Sequence, residues 1–227
     1  MALLRSSTSQ DLSPVVRGRY VVLRAPQMSD YLRWAELRAL SREHLTPWEP
    51  QWSRDELTRN AFRRRVRHYL LEAREDHGYA FLIHAQVRPP SPPVGQPGHR
   101  TAGGLRWPVL PSLHEPALVG GITLSNVRRG VTQAATLGYW LGEPYLGRGL
   151  MTDALCALLP FAYDVLRLHR IEAAVMPANG ASLRVLERCG FMREGLARRY
   201  LRINGRWEDH ILLARLADDD GMEVPAP

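Results

Sequence analysis

The chain has 227 residues, which suits one α/β domain with an insertion better than two ordinary domains. Apolar residues make up 45% and charged residues 23%, which excludes a wholly disordered chain, a collagen-like repeat and a disulfide miniprotein. The net charge is +7 with no lysine at all, so arginine-rich composition explains the basicity before any nucleic-acid surface does. No apolar run approaches the ~20 residues of a bilayer span. The Ser/Thr-rich start lacks the apolar core of an export signal, and the expected compartment is the cytoplasm.

Residues 1–16 are expected to be loosely ordered, and the β-branched, aromatic run over 20–24 predicts a first strand. Ser29 and Asp30 cap a helix whose apolar positions are Tyr31, Leu32, Trp34, Ala35, Leu37 and Leu40. Ser53, Arg54, Asp55 and Glu56 read as a capping box opening a second helix, with Leu57, Ala61, Phe62, Val66, Tyr69, Leu70 and Ala73 at helical spacing. Arg59, Arg63, Arg64, Arg65 and Arg67 crowd its other surface, as a solvated face first and a nucleic-acid contact second. A strand over 79–87 leads into residues 88–116, so dense in Pro and Gly that they predict an extended, mobile insertion, either ornament or lid.

Strands follow over 118–126 and 134–141, joined by a hairpin-like link. Residues 150–166 predict a long helix bent at Pro160, and 170–175 a short strand. A helix over 179–189 turns Leu183, Leu186 and Cys189 inward and closes at Gly190. Asn204-Gly205 joins strands 191–203 and 206–216 as a hairpin, and the tail, 218–227, is expected to fray. Cys156 and Cys189 have no metal-ligand or CxxC spacing and read as two buried thiols. The order β-α-α-β-β-β-α-β-α-β-β makes a mixed α/β sheet.

The chemistry concentrates where strand 134–141 runs through Gly142-Glu143-Pro144-Tyr145 into Leu146, Gly147, Arg148, Gly149, Leu150, Met151 and Thr152. A strand, a glycine-rich turn and a helix start aim unpaired N–H groups at one point, where the helix dipole also favours an anion such as pyrophosphate. Alone the signal is weak, because tight packing also demands glycine. The lysine of a P-loop and the third glycine of a dinucleotide fingerprint are missing.

This turn, the next strand, and Asn179-Gly180-Ala181-Ser182 opening a helix that ends in Cys189-Gly190-Phe191 together resemble the GNAT acetyltransferases. Against that family's Gln/Arg-x-x-Gly-x-Gly/Ala pattern, Leu146 stands at the first position, Gly149 at the fourth and Met151 at the last. The polar first side chain is lost, but the backbone donors remain. Further stretches resemble the RimJ/RimL ribosomal-protein N-acetyltransferases, the RimJ type in particular. They are Arg42-Glu43-His44-Leu45-Thr46-Pro47-Trp48-Glu49-Pro50, residues 125–130, Leu168-His169-Arg170-Ile171 and Asn204-Gly205-Arg206-Trp207-Glu208-Asp209-His210.

The resemblance implies one GNAT domain over 17–217: a mixed, mostly antiparallel sheet with a splayed parallel strand pair, flanked by helices. It implies acetyl-CoA, without a metal, in the V between strands 134–141 and 170–175. An amine, the N-terminus of a ribosomal protein, would attack the thioester directly in a ternary complex. Backbone from Gly138 through Tyr139, Trp140 and Leu141 would bond pantetheine and polarise the carbonyl. Gly138 marks either a strand bulge or a glycine packed on an aromatic. Residues 146–152, Asn179 and Ser182 complete the cofactor set.

The family's frequent acid, a tyrosine, is replaced here by Leu186, leaving Ser182 either as donor to the thiolate or as a capping residue. For the base, an α-amine with pKa about 8 needs little help, whereas a lysine amine would need about 3.4 kcal/mol more. Glu49 is the candidate base, with a plain surface carboxylate as the alternative reading. Asp209 is a second carboxylate, or a partner for Arg198 or Arg199. Trp48 and Tyr200 wall the substrate slot or belong to the core. Two other readings remain: acetylation of a small-molecule amine, and a non-catalytic RNA-binding ribosome-assembly factor using the arginine-rich helix against rRNA. The sequence does not fix the oligomeric state.

Overall fold

The computed structural model describes residues 14–85 and 116–219. Residues 88–115 of the expected insertion, most of the 1–16 segment and residues 220–227 of the tail lie outside the described residues. Among the described residues eight strands form one sheet in the order β1-β2-β3-β4-β5-β6-β8-β7. In chain order they are β1 (Val16–Arg17), β2 (Val21–Arg24), β3 (Tyr79–Ala85), β4 (Ala117–Arg128), β5 (Ala134–Leu141), β6 (Arg170–Val175), β7 (Met192–Ile203) and β8 (Arg206–Leu216). Among the described residues five α-helices accompany them: α1 (Tyr31–Leu40), α2 (Arg42–Leu45), α3 (Arg59–Arg74), α4 (Leu150–Pro160) and α5 (Gly180–Arg188).

Every neighbouring pair is antiparallel except β5 and β6. Those two pair only at Ala134↔Arg170, Ala135↔Ile171 and Thr136↔Glu172, then diverge, leaving Gly138–Leu141 and Ala173–Val175 as the arms of a V. Side-chain alternation gives the sheet two apolar faces. One packs Leu137, Ile171, Ala173 and Val175 against Leu150, Leu155 and Leu158 of α4 and Leu183 and Leu186 of α5. The other packs Leu82 and Leu118 against Trp34 and Leu37 of α1 and Phe62 and Val66 of α3. Fully buried leucines such as Leu155 and Leu158 each contribute about 2–3 kcal/mol by leaving water.

Several local expectations are corrected. Leu32 and Leu40 are exposed, because α1 buries only the stripe through Trp34, Leu37 and Arg38. Helix α3 starts later than its apparent capping box: Thr58 Oγ1 accepts from the Ala61 N–H at 3.2 Å. The Ser53 hydroxyl donates to Asp55 instead, and Asp55 and Glu56 turn to Arg64 and Arg65 of α3. Val16, placed in the loosely ordered segment by expectation, pairs with Leu23. The helix expected to bend at Pro160 ends there and continues as one wider, π-type turn over Phe161–Val165, since Pro160 has no N–H to donate back to Cys156. Cys156 is exposed on the outer side of α4 while Cys189 is buried, their sulfurs 3.6 Å apart.

Candidate active site

The V opens differently on the two faces of the sheet. Towards α4 and α5, the turn after β5 places Gly147 at φ +71° and Gly149 at φ +73°, left-handed conformations that favour glycine. A Cβ on either would project into open space, so nothing of the protein fills the turn. Helix α4 has no side-chain N-cap, and its first internal bond runs from the Asp153 N–H to Gly149. The N–H groups of Leu150, Met151 and Thr152 therefore have no partner within α4 and point towards this mouth. A cavity of about 480 Å³ starts here, lined by Leu146, Gly147, Gly149 and residues 150–152, then by Tyr139, Asn179 and Ser182. Arg148 stands outside its wall.

Asn179 caps α5, its Oδ1 accepting from the Ser182 N–H at 3.1 Å. The Tyr139 hydroxyl spans the V to donate to the Ser182 carbonyl at 3.2 Å, and burial pushes its pKa up to about 12, so it stays protonated. The Ser182 hydroxyl lines the cavity and makes no hydrogen bond among the described residues. Leu186, at the position of the family's tyrosine, is wholly buried in the core.

Backbone direction along β5 is set by β4. The carbonyls of Thr136 and Gly138 accept from Ser125 Oγ and Thr123 Oγ1, so their polar edges face β4. Alternation then turns the N–H and C=O groups of Tyr139 and Leu141 into the V. The Trp140 carbonyl lies against Gly120 of β4, so it faces that strand and not the V where its backbone was expected to serve. Gly138 is no bulge: its pairing with Thr123 is regular, and the β4/β5 irregularity lies between Ser125 and Arg128.

The opposite mouth is assembled from distant segments. The α1–α2 junction is tied to the end of β5, with the buried Ser41 hydroxyl accepting from the Glu143 N–H at 2.9 Å. Leu37 packs against Gly142 so closely that a Cβ there would lie 2.4 Å away. A 3-10 turn, Thr46–Trp48, then delivers Trp48 and Glu49 to the cavity wall. The β7–β8 hairpin comes to meet them: the Asn204 N–H donates to the Glu49 carbonyl at 2.9 Å. Asn204 and Gly205 have φ of +43° and +83°, as the turn they were expected to make requires.

Glu49 is fully engaged. Its two oxygens accept from Arg38 Nη1 and Nη2, each at 2.7 Å, and Oε2 also accepts from Trp52 Nε1 at 2.7 Å. Arg38 is buried beneath the rings of Trp52 and Trp140, at 4.4 and 5.0 Å from their centroids, with Glu56 at 3.9 Å. A base needs a free lone pair aimed at its proton, so this fork and the indole speak against the expected base role of Glu49. Asp209 serves the backbone: its Oδ1 accepts from the Arg199 N–H at 2.7 Å, pinning an irregularity of β7 between Ala197 and Leu201. Arg199 there adopts φ +49°, and the side-chain pairing imagined for Asp209 is replaced by this contact. Tyr200 lies outside the cavity wall, half-exposed, with its ring edge-on to His210 at 6.0 Å.

Several lining residues escaped the sequence reading. Arg184 and Arg188 follow Ala181 on the open face of α5, opposite buried Leu183 and Leu186, and helical spacing alone could have indicated them. His44 and His210 line the acceptor mouth; both stand inside quoted motifs, but their convergence is a product of topology. A second cavity, about 850 Å³, lies under α1 and α3 and shares Glu49, Gly138, Tyr139 and Trp140 with the first. Of the α3 arginines, Arg64 and Arg65 are spent on Asp55 and Glu56. No described helix is long and apolar enough to cross a membrane.

Comparison with known proteins bears directly on this geometry. The model of the acetyltransferase (GNAT) domain matches residues 21–192. The [ribosomal protein uS5]-alanine N-acetyltransferase of Escherichia coli is 33% identical over 199 residues, 88% of this chain and 89% of that protein. Mycobacterium smegmatis RimJ, solved in complex with CoA-disulfide, superposes with a TM-score of 0.73 at 29% identity, covering 94% of this chain and 89% of that one. The ribosomal-protein-S5-alanine acetyltransferase of Vibrio fischeri gives a TM-score of 0.73 at 28% identity, covering 91% and 98%.

Proposed function

This chain belongs to the GNAT acetyltransferase family, and from that premise we propose that it acetylates the N-terminal α-amine, alanine or serine, of a ribosomal protein. The acetyl group comes from acetyl-CoA, and the protein is an N-acetyltransferase. What supports the ribosomal substrate is the match to a uS5-alanine acetyltransferase along nearly the whole of both chains, 88% and 89%. The α4/α5 mouth fits a pyrophosphate: unpaired helix N–H groups, two glycines leaving room, and the cations Arg184 and Arg188 beside it.

In this reading Leu150, Met151 and Thr152 hold the pyrophosphate, and Tyr139 and Leu141 hold the pantetheine with their backbone groups. Asn179 fixes the start of α5, and the free hydroxyl of Ser182 donates to the leaving sulfur. The amine enters from the Trp48 side and attacks without an acyl-enzyme, because no nucleophile needs to intervene between two mouths that open on one V. Glu49 acts through Arg38 as a positioning residue, keeping Trp52 and Trp140 in place. The deciding experiment is mass spectrometry of ribosomal-protein N-termini from cells with and without this protein. A single N-terminus losing 42 Da, an acetyl mass, in the deletion supports the reading; unchanged N-termini throughout would sink it and leave a small-molecule amine as acceptor.

A further inference from the structure

His210 is buried, yet it lines the acyl cavity. Its Nδ1 lies 2.9 Å from the Glu208 carbonyl. A carbonyl can only accept, so Nδ1 carries the proton, and in the neutral ring Nε2 carries the lone pair. Nε2 has no protein partner among the described residues, and it is absent from the fully enclosed polar atoms that lack one. The ring is thus held in one tautomer with its basic nitrogen open.

Its position in the sheet says which mouth it serves. The β6–β8 ladder ends at Val175↔Ile211, so His210 stands one residue beyond, beside the end of β6 where the V is widest. Ile211 and Leu213 pack into the α4/α5 layer, so alternation turns His210 to the opposite face, the face of Trp48 and Glu49. Ser182, the thiolate-side donor, is on α5. A base on one face and a hydroxyl on the other is what direct attack across the sheet requires. Glu49 is occupied by Arg38 and Trp52, and His44 lines the cavity without any hydrogen bond among the described residues to fix its ring.

We propose that His210 is the general base, taking the proton from the acceptor amine at Nε2. The proposal rests on the reading that the acceptor is an amine, and holds for peptide and small amine alike. As the C–N bond forms and the C–S bond breaks, one N–H proton passes to Nε2. The sulfur leaves with the C–S electron pair and takes up one proton, delivered from solvent through the Ser182 hydroxyl. The imidazolium then releases its proton to water, so the sum is one amide, one free thiol and an unchanged ring.

The test compares His210→Asn, which keeps a donor for the Glu208 carbonyl, with His210→Gly and wild type. Each is assayed on peptides with free N-terminal alanine or serine and on a panel of small primary amines. His210→Asn should lower kcat about 100-fold or more while the Kd for CoA stays within about twofold. In His210→Gly, added imidazoles should restore turnover in proportion to their basicity, a response that a merely structural ring would not give. His210→Asn keeping more than a third of wild-type kcat would overturn the assignment. So would a loss that no imidazole restores, or one matched by a fall in CoA affinity. Turnover of small amines only would defeat the ribosomal reading and still decide the role of His210.

Discussion

On the α4/α5 side of the V the working groups are main-chain N–H groups, presented by a turn whose sequence is contiguous. On the α1/α2 side they are side chains from three separate places: Arg38 on α1, Glu49 and Trp52 after α2, and His210 on β8. The first arrangement needs little beyond glycine at two left-handed positions and a helix that starts uncapped. The second stands only when the hairpin docks on Glu49 and when a buried guanidinium finds its carboxylate. A cofactor shared by a family can be met by local backbone geometry. An acceptor that differs between relatives is met by long-range packing, where a few substitutions reshape the mouth without disturbing the turn.

The comparison is broken most severely at Gly149. A glutamate there would put its side chain into the open space beyond the turn and a negative charge among the donors. Gly149→Glu should weaken CoA binding by more than about 100-fold, with the fold intact by circular dichroism. Gly149→Ala isolates the backbone part and should cost about 1–2 kcal/mol of stability for a residue held at φ +73°. Calorimetry that finds CoA affinity unchanged in folded Gly149→Glu would remove the turn from the cofactor site.

The acceptor side should fail in stability instead. Arg38→Met leaves Glu49 and Glu56 without the buried cation between them, and losing one partner of such a pair costs about 3–5 kcal/mol. Adding Glu49→Gln to Arg38→Met should recover part of that loss, because the stranded charge is gone. Urea melts of the two single variants and the double variant measure the coupling. Additive losses would mean that the pair is not a unit.

The same contrast explains what could be read before the fold was known. The bounds of β5, β6 and β8 follow from runs of strand-forming residues punctuated by glycine and proline, and the turn motif lies wholly between β5 and α4. Thr58 displaced Ser53 as the cap of α3 because Arg64 and Arg65, one to three turns further on, claimed Asp55 and Glu56. Glu49 looked like a free carboxylate because Arg38 is eleven residues away, on α1. Asp209 looked like an ion-pair partner because the irregularity it pins exists only when β7 lies beside β8. Local motifs carry local geometry, and both carboxylates are engaged by groups that only the tertiary fold brings to them.

Acid should loosen the acceptor side first, through a group remote from both mouths. His84 on β3 shares the face of Leu82, the α1/α3 face, and its Nε2 is enclosed without a partner. Burial first, then the nearby Arg24 cation, push its pKa down to about 4, against the pull of Asp30. Asp30 is itself held low: burial pushes its carboxyl up, but the Arg24 bonds and the Gln27 N–H outweigh that. The sign follows from proton counting. Between pH 6.5 and about 4 the unfolded chain protonates this histidine while the folded chain does not, so stability falls as pH falls through that window. At pH 5 the loss should be about 1–2 kcal/mol relative to pH 7, below the Arg38→Met effect. His84→Phe should flatten the dependence of the urea midpoint between pH 7 and 5. Hydrogen exchange should show α1 opening before α4 as the pH drops. A wild-type midpoint that stays level over that range, or α4 opening first, would break the link between His84 and the acceptor-side layer.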